Sequence, residues 1–184
     1  QSFLSNITDL GPSVHGGSVK FSDKATQYGV GRSGSYFSLG MDSMWRHWIP
    51  LNGGLTFFQL KDEKTFHQAT TGGDRTSSVD AMGGYVETGA RIKKESPLTA
   101  GVNVGYFYMS DPSRNISNCS DCHSEDIPIG GGQFYLAPLI GFSFSSFEAM
   151  ASYRIFNGSG ALESQLDFRL AWMVRFESEE NRKR

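Results

Sequence analysis

The sequence predicts an all-β chain: an eight-stranded antiparallel up-and-down barrel that crosses a membrane on its strands. Three observations carry this. The last regular segment, 166–176, reads L-D-F-R-L-A-W-M-V-R-F. It sets Leu166, Phe168, Leu170, Trp172, Val174 and Phe176 on one face and Asp167, Arg169, Ala171, Met173 and Arg175 on the other. Strict period-2 alternation over that length is a strand between two unlike environments. Composition agrees, with 22 glycines and 13% aromatic residues in 184 and few helical patterns. Finally, the connections between candidate strands alternate short and long, an asymmetry of transmembrane barrels.

The bulk properties exclude some classes. A net charge of -2 gives no electrostatic case for nucleic acid. No apolar run is long enough for a transmembrane helix, and mean hydropathy is negative. Barrel strands are half polar, so neither fact excludes a membrane. The chain begins at Gln1, which fits a processed protein whose signal peptide is gone. One domain is expected: an irregular segment over 1–16, a barrel over 17–176 and a charged tail over 177–184.

Taken in order, the first strand should lie within 17–31, where the pattern is poor. His15, just before it, reads as a solvated loop histidine. The second strand, 35–48, sets Phe37, Leu39, Met41 and Trp45 against Ser38, Gly40, Asp42 and Arg46. Tyr36, Trp45 and Trp48 fit aromatic girdles at membrane interfaces. Pro50-Leu51-Asn52-Gly53-Gly54 reads as a tight turn before a third strand at 55–61. The stretch 62–80 is a polar loop. The fourth strand, 82–93, sets Val86, Thr88, Ala90 and Ile92 against Tyr85, Glu87, Gly89 and Arg91. The fifth, 98–109, follows a short turn and opposes its Val and Tyr residues to Gly101, Asn103 and Gly105. A second long loop, 110–132, precedes strands at 133–144 and 147–156. The last strand follows a moderate loop.

The polar faces carry small residues beside charges of both signs. An eight-stranded barrel is just wide enough inside for side chains. Glu87, Arg91, Glu148, Arg154, Asp167, Arg169 and Arg175 therefore read as an ion-pair network filling the lumen, since unpaired buried charge is expensive. A soluble barrel explains the alternation too, but its wet face would carry Lys, Thr and Glu more often than Gly.

Over 17–176 the architecture resembles the small eight-stranded bacterial outer-membrane β-barrel proteins, the OmpA-transmembrane and OmpX-like class. The last strand, Phe168-x-Leu170-x-Trp172-x-Val174-x-Phe176, resembles the terminal signal read by the barrel assembly machinery, with Trp172 and Phe176 as its aromatic marks. Eight further residues after Phe176 depart from the usual pattern. The resemblance implies a bacterial outer-membrane location, short periplasmic turns, longer extracellular loops and periplasmic termini. Its implied partners are outer-membrane lipid, the assembly machinery and other membrane or surface proteins. It fixes no activity, because function is not set by fold.

The sharpest chemical motif is Cys119-Ser120-Asp121-Cys122-His123. C-x-x-C-H is the pattern of c-type haem attachment, with His123 as iron ligand and His67 or Met109 as candidate second ligands. The plainer reading is a Cys119–Cys122 disulfide in an exposed loop of an oxidising compartment, and no cofactor is the first expectation. His123 with Asp121, Glu125 and Asp126 could hold a divalent ion, although a solvated acidic loop explains them. A lipid-directed enzyme would need a His, a Ser and a carboxylate at the outer rim. His67 with Ser77 or Ser78 and Asp74 or Asp80 match no motif, and His123 with Ser124 and Glu125 are adjacent in sequence, an arrangement that rarely converges on one site. Pro138 breaks a mid-strand hydrogen bond. The expected function is non-enzymatic: a membrane anchor or interaction partner acting through its loops. An electron-transfer component with haem is the alternative, ahead of a lipid enzyme or a lipocalin-like carrier.

Overall fold

The computed structural model describes residues 6–62, 77–93, 97–116 and 124–176. Eight long strands make the wall: β1 (Ile7–Phe21), β2 (Val30–Trp45), β3 (Ile49–Asp62), β4 (Ser77–Lys93), β5 (Leu98–Met109), β6 (Gly131–Phe144), β7 (Phe147–Phe156) and β8 (Leu162–Trp172). Each pairs antiparallel with its sequence neighbours, and β8 pairs with β1 to close the barrel. Closure removes the open edges of the eight-stranded wall, which a lipid environment requires. A single helical turn, α1 (Asp23–Thr26), sits between β1 and β2. Short strands at Ser113–Ile116 and Glu125–Asp126 extend the sheet beyond β4. The chain ends enter and leave at the end that holds the 46–48 and 145–146 turns.

The first strand differs from expectation. Residues from Ile7 onward, placed by sequence in an irregular segment, belong to β1. Its inward residues, Gly11, Ser13, His15 and Gly17, are small or polar, so no amphipathic signature appears. Gly11 and Gly17 are also where β1 presses hardest on β8. A Cβ there would lie 1.6 Å from the Trp172 carbonyl oxygen and 1.8 Å from that of Leu166. The predicted turn at 50–54 is another correction, because those residues lie inside β3. The chain reverses at 46–48, where Arg46 and His47 take left-handed φ values of 52° and 64°, an uncommon choice for residues with a Cβ. Gly54 instead makes room: opposite Gly40, it clears space for the Tyr85 ring, whose Cε1 a Cβ at Gly54 would meet at 2.9 Å.

The outer face is an apolar belt. Leu39, Phe57, Val86, Val104, Ile140 and Phe168 all lie exposed, Ile140 at 68%. Such a surface in water would be an aggregation liability; in lipid it is a solvated face. On β1 to β4 the belt stops at one level. Ser18 pairs with Ser35, Ser35 with Gln59, and Gln59 with Asp80, all pointing outward. On β3 the belt spans 49–57. At about 3.3 Å per residue and a tilt near 40°, this gives a height of about 23 Å. At the short-turn border Phe147 and Trp172 stack at 6.4 Å between ring centroids. Trp48 is exposed there as well. Tyr36 is no girdle residue: it points into the lumen, 5% exposed.

The interior has two layers. Toward the long loops it is a dry core of Val19, Phe21, Phe58, Val79, Phe107, Met109, Phe156 and Leu162, joined by Ile127 and Ile129 from a connecting segment. Phe107 packs edge-on against Phe58 and Phe156, at 5.7 and 6.0 Å between centroids. Toward the short turns the interior is polar and charged.

Candidate functional site

The polar layer is built from inward positions of all eight strands of the wall. Glu87 on β4 is its hub. Its carboxylate accepts from Asn52 Nδ2 at 3.0 Å, Asn103 Nδ2 at 2.9 Å and the Tyr135 hydroxyl at 2.7 Å. Arg169 Nη2 donates to it at 2.5 Å, and Arg154 Nη2 lies 3.5 Å away. The other guanidinium arm of Arg169 reaches Asp42 at 3.0 Å. Asp167 accepts from the Tyr36 hydroxyl at 2.5 Å and lies 4.0 Å from Arg154. Arg154 itself is fully buried between the Tyr85 and Tyr135 rings, 4.9 and 5.1 Å from their centroids. Desolvated guanidinium groups over aromatic faces gain cation–π attraction beside their ion pairs.

Charge closes within this layer. Asp42, Glu87 and Asp167 face Arg91, Arg154 and Arg169, three of each sign. Of the charged residues expected in the lumen, Glu87, Arg154, Asp167 and Arg169 meet directly. Arg91 lies lower. It donates to Asn103 Oδ1 at 2.6 Å and contacts the Met150 sulfur at 3.9 Å. Glu148 is partly exposed below it. Arg175 is a correction: it has the inward parity but sits past the end of the wall, its side chain 74% exposed and 3.5 Å from Asp9. Pro12 has no N–H to donate opposite Trp172, and the β1 ladder lapses there before resuming at Leu10 and Val174.

His15, expected in a solvated loop, is a lumen residue with 2% exposure. Its Nε2 lies 3.1 Å from Ser13 Oγ and 3.0 Å from the Tyr85 hydroxyl, and its Nδ1 lies 3.4 Å from Asp167. Ser13, His15 and Asp167 thus stand in the order of a hydrolytic triad. The chemistry does not follow. Ser13 donates its proton to Asp42 at 2.7 Å rather than to His15, and it is 3% exposed, so no substrate carbonyl can reach it. Sequence reading missed His15, Tyr36, Asn52 and Tyr135 as members of this layer. Tyr85, Asn103 and Asp42 were visible on the polar faces but without partners.

Cys119, Cys122 and His123 lie outside the described residues, as do His67, Asp74 and Asp121. Met109, a candidate iron ligand, is in the dry core at 1% exposure. Ser78 and Asp80 face outward on β4, on the side away from the lumen. Ser124 is exposed. Glu125 lies 3.4 Å from Arg114, and Asp126 accepts from Ser113 at 3.0 Å, so both support the short strands. Arg114 is 2% exposed, bonded to Asp62 at 2.8 Å and the Tyr28 carbonyl at 2.7 Å. Trp172 and Phe176 face outward, 55% and 50% exposed. At Pro138 the β6–β7 ladder skips from Leu136↔Ile155 to Leu139↔Ser152.

A closed eight-stranded wall, an apolar outer belt and a plugged polar lumen define the small outer-membrane β-barrel class of fold. Among solved structures, the chain is similar to Ail, the attachment invasion locus protein of Yersinia pestis. The TM-score is 0.55 at 11% identity, over 91% of this chain and 99% of that one. It is similar also to Neisserial surface protein A, with a TM-score of 0.52 at 9% identity, over 93% of this chain and 97% of that one. No protein-family model matches the sequence. No curated protein matches it either.

Proposed function

We propose that this chain is a non-enzymatic barrel of the bacterial outer membrane, anchored in lipid by its belt and acting on partners through its long-loop end. The observation that carries this is the filled interior. A neutral ion-pair layer below and a dry aromatic core above leave no path for solute, so transport is disfavoured. The same core runs into the connecting segments through Ala25, Ile127, Ile129 and Ala161, which makes the loop bases a preformed platform. One structural neighbour is named for attachment and the other as a surface protein, and attachment to an external surface is the role we assign here.

Two measurements test it. Reconstituted in a planar bilayer, the barrel should give no unitary conductance; a steady channel would overturn the closed-lumen reading. Cells displaying the protein should bind a target surface, and replacing 63–76 and 117–123 by Gly/Ser linkers should abolish that binding with assembly intact. Unchanged binding would refute a loop-borne role.

A second reading rests on Cys119-x-x-Cys122-His123, whose spacing suits covalent haem. A reduced-minus-oxidised absorbance spectrum decides it. A Soret band surviving acid–acetone extraction supports electron transfer, and a colourless protein leaves a disulfide or free thiols.

A further inference from the structure

The short-turn end holds a cavity of about 380 Å³, separate from the loop platform. Its deepest charged group is Arg91, 6% exposed. This guanidinium is incompletely used. One Nη bonds Asn103, and among the described residues the other meets only the Met150 thioether and Nε has no partner. A buried guanidinium N–H without an acceptor is costly. Glu148 lines the same cavity, and among the described residues it has no hydrogen-bond or ion-pair partner. Arg91 and Glu148 line the same space but form no ion pair among the described residues. The remaining charges at the mouth are already engaged: Asp9 lies 3.5 Å from Arg175 and 3.8 Å from His47. Ser143, Ser145 and Ser146 add hydroxyls around the opening.

Two groups of opposite sign on one cavity wall, neither in an ion pair among the described residues, make a two-point site. A lone anion would meet Glu148 as a repulsive neighbour, and a lone cation would meet Arg91. A molecule carrying both charges satisfies both. We propose that this cavity binds a small amino-acid-type zwitterion from the side of the short turns, its carboxylate on Arg91 and its ammonium on Glu148. The site is independent of the long-loop end, so either reading can fail without the other.

The test uses the full chain refolded in micelles, with the side-chain Nε–H signal of Arg91 followed by NMR. Acetate, methylammonium, glycine, β-alanine and 4-aminobutyrate are titrated separately. The expected result is saturable movement of that signal by at least one zwitterion, with affinity about tenfold or more above acetate. Glu148→Gln should erase the advantage over acetate, and Arg91→Gln should erase binding of every anionic probe. Because Arg91 also bonds Asn103, its variant is checked for folding by heat-dependent gel mobility; Glu148, being unpartnered, supplies the independent test. No saturable shift with any zwitterion, equal binding of acetate and zwitterions, or an unchanged preference in Glu148→Gln would each overturn the proposal.

Discussion

Replacing Glu87 by Gln should be among the most damaging single changes of the polar layer. The carboxylate takes donors from Asn52, Asn103, Tyr135 and Arg169. Hydrogen bonds to a charged group contribute about 1.5–3 kcal/mol each, so the gross interaction is about twice the expected loss. A carboxamide keeps one acceptor oxygen and turns its NH₂ toward donors that previously pointed at oxygen. It also leaves Arg154 and Arg169 with only Asp42 and Asp167 between them. Breaking a buried pair from one side costs about 3–5 kcal/mol. At a urea slope near 2 kcal/mol/M, the midpoint should fall by about 2 M. The assay is equilibrium unfolding of the barrel in lipid vesicles, followed by tryptophan fluorescence and gel mobility. Removing Arg169 as well should cost less than the two single changes added together, with coupling of about 2 kcal/mol. A Glu87→Gln midpoint within 0.5 M of the parent, estimated as about 1 kcal/mol on the same slope, or strict additivity with Arg169→Met, would refute the hub role.

Leu39→Arg, on the outer belt, should cost about 2–4 kcal/mol in vesicles, whereas Ser35→Arg at the belt's upper border should cost about 0–1; equal costs would sink the lipid reading of the outer face. Gly54→Ala puts a Cβ 2.5 Å from the Leu39 carbonyl oxygen and 2.9 Å from the Tyr85 ring, so it should lose about 1–3 kcal/mol in the same unfolding assay. Trp172→Ala and Phe176→Ala remove exposed aromatics that make little of the lumen. They should slow assembly in cells, read as accumulation of the heat-insensitive unfolded band, while refolded protein unfolds near the parent midpoint.

The strands from β4 to β8 were readable because their two faces differ in kind, as Val86 and Val104 differ from Glu87 and Asn103. The first strand was not, because small inward residues and the outward Pro12 and Gly16 blur both faces. Turn chemistry misled at 50–54: Asn52 and Gly54 occur there because Glu87 needs a donor and Tyr85 needs space. The true reversal uses Arg46 and His47, which carry no turn signature. Charged lumen residues could be named from parity alone, but not their pairings, which depend on register across the barrel. Parity failed for Arg175 because it says which way a side chain points, not whether wall still surrounds it. His15 escaped because, Ser13 apart, its environment comes from strands distant in sequence, with Tyr85 on β4 and Asp167 on β8.

On the β1 to β4 side, the level polar border of Ser18, Ser35, Gln59 and Asp80 sets a hydrophobic height near 23 Å, about 7 Å less than a typical hydrocarbon core of 30 Å. In a thick bilayer this barrel would have to thin its surroundings or bring Gln59 and Asp80 into contact with acyl chains, at a cost that rises with each ångström of mismatch. In a thin membrane it fits without deformation. Bilayer thickness is therefore expected to bias which membranes this barrel enters. Refolding yield should climb as vesicle lipids are shortened, with no change in any loop or any charge.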